Sequence, residues 1–254
     1  KKDFDGAEVA FNKALALDPS CAVAWANLGI LRMYRKDFHG AEVAFNKALA
    51  LDPKDANAWY NLGLLKNHKK DFDGAEAAYR KALVIDPLYV KAWYNLGLLL
   101  QVHKKDIVGA EAAYKKANDI DPTHVEVWYN LGLLKKHMKD FDGAKAAYRK
   151  ALEIDPKDAH AWNNLGCLLE KHMKDFDGAE AAYRKALEID PKDAHAWNNL
   201  GCLLEKHMND VDGAEAAYRK ALDIDPLYVN TRYNLGQLQR TNMKDVSEAR
   251  KSYT

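Results

Sequence analysis

Residues 55–87 read DANAWYNLGLLKNHKKDFDGAEAAYRKALVIDP, and this stretch decides the fold. Trp59, Leu62, Gly63 and Leu65 fall at helical spacing and predict a first helix. Asp71 stands where an N-cap belongs. Ala75, Tyr79, Ala82 and Leu83 then recur at i, i+4, i+7 and i+8 until Asp86-Pro87 stops a second helix. Gly63 and Ala75 are expected to let the two helices approach closely, with Trp59 and Tyr79 filling the space above and below. Proline cannot extend the second helix and favours an extended residue before it, so it sets the turn into whatever follows.

The same frame recurs along the chain. Trp stands at 25, 59, 93, 128, 162 and 197, and Asp-Pro pairs place proline at 19, 53, 87, 122, 156, 191 and 226, so the period is 34 or 35 residues. A fixed period in this range marks a solenoid in which each unit buries its apolar face against its neighbours. Residues 139–173 and 174–208 are identical except for Lys145 against Glu180. Copying that extends to surface positions reads as recent duplication or deliberate construction, so a residue shared by those two units need not be shared for function.

Trp59, Leu62-Gly63, Ala75, Tyr79, Ala82 and Pro87 together resemble the signature of the tetratricopeptide repeat family, and the resemblance covers essentially the whole chain. It implies an all-α fold: a right-handed superhelical solenoid of stacked antiparallel helix pairs. One array over 1–254 is expected, with seven first helices and eight second helices, truncated within repeats at both ends as a fragment of a longer array would be. Two departures stand out. The aromatic usual seven residues after the Trp is Arg32, Lys66, Leu100, Lys135, Leu169, Leu204 or Gln239 here. The spacing from Gly63 to Gly74 is eleven residues, whereas Gly97 to Gly109, Gly166 to Gly178 and Gly201 to Gly213 are each twelve. Both flanking apolar stripes keep their phase, so the extra residue belongs in the last turn of the first helix or in the loop. Arg232 replaces Trp in the last first helix, as drift or as a partial cap.

Composition excludes several classes of function. Lys plus Arg number 38 against 37 Asp plus Glu, which leaves no overall field for nucleic acid or an anionic membrane. No apolar run approaches the roughly 18 residues of a membrane span. The first residues, Lys1-Lys2-Asp3-Phe4, carry no signal-peptide pattern, so a soluble, cytoplasmic protein is expected. Cys21, Cys167 and Cys202 show no metal-ligand spacing and are expected to be reduced thiols. No nucleotide-binding or metalloprotease motif occurs, the acidic residues recur as caps, and neither cofactor, metal nor catalytic residue is implied.

Candidate binding residues lie between the frame positions. An Asn stands two residues after the Trp position in all seven first helices: Asn27, Asn61, Asn95, Asn130, Asn164, Asn199 and Asn234. In the tetratricopeptide family first helices line the concave face, and this row resembles the asparagine ladders of other peptide-binding helical solenoids. A carboxamide offers donor and acceptor, so it can pair with one peptide unit of an extended ligand. The alternative is that it bonds within the scaffold. One residue after the Trp position stand Tyr60, Tyr94, Tyr129 and Tyr233, replaced by Asn163 and Asn198 in the copied units and by Ala26 in the first. They are either recognition tyrosines or packing for the neighbouring first helix. His160, His195, Cys167 and Cys202 lie near the same face, and a metal site from them is disfavoured.

The family's carboxylate clamp for chaperone tails is largely missing: only Lys91 matches its third-unit lysine. The expectation is a non-catalytic scaffold for protein–protein interaction that holds an extended peptide in its groove. Alternatives are the substrate-recruiting arm of a larger enzyme such as a glycosyltransferase, or a structural array. End-to-end self-association through uncapped termini is expected from the missing capping helices.

Overall fold

The computed structural model describes the backbone of residues 4–252 and the side chains of residues 4–241. The chain divides into two compact units, Lys1–Thr123 and His124–Thr254. The first contains α1 (Phe4–Leu17), α2 (Ala22–Tyr34), α3 (Phe38–Leu51), α4 (Ala56–His68), α5 (Phe72–Ile85), α6 (Val90–Leu99) and α7 (Ile107–Ile120). The second contains α8 (Val125–His137), α9 (Phe141–Ile154), α10 (Ala159–Leu168), α11 (Phe176–Ile189), α12 (Ala194–Leu203), α13 (Val211–Ile224) and α14 (Val229–Ser252). No strand occurs among the described residues. Each unit is an all-α stack of antiparallel pairs, as the repeat pattern implies. Even-numbered helices carry the Trp register and odd-numbered helices the Ala-Tyr register.

Local chemistry at both ends of each odd helix explains why the breaks fall where they do. The carboxylate of Asp71 accepts from the Gly74 amide at 3.0 Å, and Asp37, Asp106, Asp140, Asp175 and Asp210 repeat this cap. The residue just before each cap is left-handed: Lys36, Lys70, Lys105, Lys139, Lys174 and Asn209 have φ of 54 to 63°. A Cβ at the capped glycine would lie 2.1–2.6 Å from the aspartate Oδ2, so a side chain there would require the carboxylate to shift. At the far end Asp86 accepts from the Leu88 amide at 3.0 Å, closing an Asx turn over Pro87. The Pro87 carbonyl then accepts from the Trp93 indole at 2.9 Å.

That indole bond recurs from Trp25, Trp59, Trp162 and Trp197. Arg232 keeps it without a ring, since its guanidinium donates to the Pro226 carbonyl. The substitution therefore preserves the donor to the turn. Lys47 and Lys81 lie 4.2 Å from the centroids of Trp25 and Trp59, covering the rings with charge.

Inside each pair the glycine of the first helix lies against the aromatic ring of the second. A Cβ on Gly63 would sit 2.6 Å from the Tyr79 ring, so the glycine makes room for that aromatic face. Tyr79, Tyr114, Tyr148, Tyr183 and Tyr218 are all fully buried, and Phe45 takes the equivalent place against Gly29. Ala75 is buried as well. Neighbouring pairs are fastened at their turns. Phe72 stacks on His103 at 4.0 Å, and Phe141–His172 and Phe176–His207 repeat the contact at 4.2 and 4.1 Å.

The extra residue of the longer units goes into the last turn of the first helix, the first of the two places expected for it. Helices α6, α10 and α12 each run on into a π turn, at Leu100–Lys104, Leu169–Met173 and Leu204–Met208. In the shorter units the cap amide of Asp71 reaches back five residues, to the Lys66 carbonyl. In the longer ones Asp106 reaches back six, to Leu100.

A turn and an eighth second helix are expected near the end of the chain. Helix α14 instead runs unbroken from Val229 to Ser252. Glu248 occupies the register of the capped glycine.

Candidate functional site

The seven candidate asparagines are all half-buried on the even helices. In four of them the first contact is local. The amide nitrogen donates to the carbonyl four residues back, from Asn61 to Asn57 (2.8 Å), Asn95 to Lys91 (2.8 Å), Asn130 to Glu126 (2.8 Å) and Asn164 to His160 (3.0 Å). This fixes the carboxamide along the helix.

The second contact crosses to the preceding pair and joins the two candidate sets. Asn95 donates to the Tyr60 hydroxyl at 3.2 Å and Asn164 to the Tyr129 hydroxyl at 2.9 Å. In the copied units, asparagine replaces the phenol as acceptor: Asn199 donates to Asn163 at 3.1 Å and Asn234 to Asn198 at 3.3 Å. Asparagine and tyrosine are thus one brace between neighbouring pairs. At Asn95 and Asn164 both amide hydrogens are engaged by the scaffold, whereas the carboxamide oxygens accept from nothing among the described residues. These two side chains thus keep a free acceptor, not the donor–acceptor pair expected of them.

The tyrosines are braced through their rings as well. Tyr60 lies 6.0 Å from Tyr79 and 4.9 Å from Tyr89, Tyr94 lies 6.3 Å from Tyr114, and Tyr129 lies 6.1 Å from Tyr148. Burial pushes the Tyr60 and Tyr129 phenols above their ordinary value, so they are neutral across the physiological range. Burial likewise raises Tyr89, to about 12, and its hydroxyl donates to the Asn57 Oδ1 at 2.8 Å. Tyr233 differs from the others and is 64% exposed.

Cys167 and Cys202 lie half-buried beneath the asparagine row. Cys167 Sγ lies 3.3 Å from the Tyr183 hydroxyl oxygen and accepts from Asn199 at 3.4 Å; Cys202 Sγ lies 3.5 Å from the Tyr218 hydroxyl oxygen and accepts from Asn234 at 3.3 Å. His195 pairs with the Tyr228 hydroxyl at 2.7 Å. No group of three or more His, Cys, Asp or Glu among the described residues could hold a metal ion. Among them, too, no helix is long and apolar enough to cross a membrane.

One contact was not visible in the sequence. The Tyr183 hydroxyl donates to Glu170 at 2.7 Å, Tyr218 to Glu205 at 2.6 Å and Tyr114 to Gln101 at 2.7 Å. The acceptor always stands eight residues after the Trp, and always in a π turn. That position together with the twelve-residue spacing is the signal that could have found it.

A family model of the tetratricopeptide repeat matches residues 26–90, 71–125 and 173–229, and two further models of the same repeat match 125–158 and 147–181. The chain belongs to the tetratricopeptide repeat family. No curated protein matches it in sequence. Among solved structures it is similar to MamA, at 29% identity and a TM-score of 0.62, over 67% of this chain and 92% of that one. It is also similar to YrrB, described as a TPR protein with an unusual peptide-binding site, at 26% identity and a TM-score of 0.64, over 75% of this chain and 97% of that one. Pseudomonas aeruginosa pilF shares the fold at 23% identity, with a TM-score of 0.70 over 87% of this chain and 98% of that one. The repeats and these relatives together support a scaffold for protein interaction.

Proposed function

We propose that the even-helix face of each unit holds an extended segment of a partner protein without doing chemistry on it, and that the asparagines of that face are its backbone-reading element. The carrying observation is the one-sided engagement of Asn95 and Asn164. Their amides are fixed by the scaffold while their oxygens remain to accept from ligand N–H groups. A pre-oriented acceptor needs little side-chain ordering on binding, which favours affinity. Half-buried Tyr60, Tyr94 and Tyr129 add amphipathic area beside it. The likeness to YrrB, described as having an unusual peptide-binding site, supports the same reading.

The test separates the ligand role from the brace. An Asn95→Ala, Asn130→Ala, Asn164→Ala triple variant should bind peptides selected from an extended-peptide library at least about tenfold more weakly, on the scale of lost hydrogen bonds. A Tyr60→Phe, Tyr129→Phe variant removes the brace hydroxyls but keeps the asparagine oxygens, and should bind within about twofold of the parent. Equal losses in the two variants would remove the ladder from the account.

A further inference from the structure

We infer that the face between α2 and α4 carries a socket for a phenol side chain supplied by the bound segment. The inference rests on the peptide-binding reading and adds what one ligand side chain must be.

Tyr60, Tyr129, Asn163 and Asn198 each reach the ladder asparagine of the following pair. Between α2 and α4 that register holds Ala26, which has no atoms to reach with. Asn61 therefore keeps its local bond to the Asn57 carbonyl at 2.8 Å and has no second partner among the described residues. Beside Ala26 lies an open pocket of about 570 Å³ whose lining includes Val23, Ala26, Asn27, Ile30, Asn57 and Asn61. That volume lies within the roughly 300–1,000 Å³ range of ligand sites.

The chemistry of the lining selects the occupant. Val23, Ala26 and Ile30 offer apolar contact, and Asn61 offers an amide hydrogen in need of an acceptor. An aromatic ring carrying a hydroxyl meets both. The molecule already makes the same match twice from within, where Tyr60 meets Asn95 and Tyr129 meets Asn164. Asp52 and Asp55 also line the pocket, against one ammonium from Lys54, so a carboxylate is disfavoured there. A tyrosine of the partner would complete the brace that the chain leaves open at Ala26.

The experiment titrates N-acetyl-tyrosinamide, N-acetyl-phenylalaninamide and N-acetyl-leucinamide into the full chain and follows the asparagine side-chain amide resonances. The tyrosine compound should shift Asn61 and Asn27 saturably. The phenylalanine compound should bind roughly 2- to 10-fold more weakly, the value of one neutral hydrogen bond. Ala26→Tyr fills the socket with the chain's own phenol and should weaken the response at least tenfold without lowering the melting temperature. Asn61→Ala should erase the preference for tyrosine over phenylalanine, a readout that stands even if Ala26→Tyr folds poorly. Equal shifts from the leucine compound, no saturable shift, or a tyrosine preference kept in Asn61→Ala would each overturn the socket. Library peptides that bind regardless of tyrosine and regardless of Ala26→Tyr would also overturn it, leaving the peptide-binding reading intact. Tyrosinamide shifts without any peptide binding would fail that reading and not the socket.

Discussion

The α4–α5 pair and the α10–α11 pair share one plan but close their turns differently, and the difference fixes which residues are inside. In α4–α5 the first helix ends as a plain α-helix, and the residue seven after the Trp is Lys66, which points outward to Glu42 at 2.7 Å and Asp71 at 3.1 Å. In α10–α11 the π turn brings the corresponding Leu169 inside, where it is 4% exposed, and brings Glu170 to the Tyr183 hydroxyl. The hydroxyls of Tyr79 and Tyr148, both in pairs with plain turns, have no partner among the described residues. The plain turn of α4–α5 is thus ion-paired over an unsatisfied phenol, and the π turn of α10–α11 packs a leucine over a satisfied one.

The largest expected effect comes from exchanging the residue that marks the two turns. Leu169→Lys buries an ammonium and removes apolar packing, and should cost about 3 kcal/mol or more in urea unfolding. Loss of hydrogen-exchange protection should centre on α10 and α11. The converse Lys66→Leu loses only partly exposed ion pairs and should stay within about 1 kcal/mol. Equal costs would break the distinction.

Removing the phenol hydroxyls should sharpen it. Tyr183→Phe leaves Glu170 buried without its donor and should destabilise by about 1–3 kcal/mol. Tyr79→Phe and Tyr148→Phe each delete a buried hydroxyl that has no partner, and should be neutral or stabilising by up to about 1 kcal/mol. Thermal melts of the three single variants decide it; a loss at Tyr79 as large as at Tyr183 would mean that its hydroxyl is satisfied after all.

Much of this was legible in the chain. The repeat frame gave the helices, and the aspartate caps and Asp-Pro turns stood at their expected places. The register of the asparagine row could be counted from Trp59 alone. The bond from Asn95 to Tyr60 could not, because it joins residues 35 apart and exists only once two pairs are stacked. The π turns were half legible: spacing showed that a residue was added after Gly166, but not that it would rotate Glu170 under Tyr183. Arg232 looked like a lost tryptophan, since sequence displays a ring more readily than a hydrogen-bond donor.

The smallest effect is acid dependence confined to the ion-paired turn. Glu42 is held below its ordinary value by its hydrogen bonds from Lys66 and Lys69, and Asp71 by the Gly74 amide and then Lys66. Carboxyls depressed on folding add stability that is fully present above about pH 4 and is lost as pH falls through their lowered folded values. Hydrogen exchange in α4 and α5 should quicken over that acid range, and Lys66→Leu should flatten the response. A response unchanged in the variant would assign it to the aspartate caps common to both kinds of turn.

The indole bonds make the chain its own optical instrument. Trp25, Trp59, Trp93, Trp162 and Trp197 each donate to the carbonyl of the turn just before them, so each ring's emission colour responds to the wetting of one known loop. Replacing all but one of the chain's six tryptophans with arginine, the exchange the chain already tolerates at Arg232, would leave a single lamp at a chosen joint. Detachment could then be timed joint by joint.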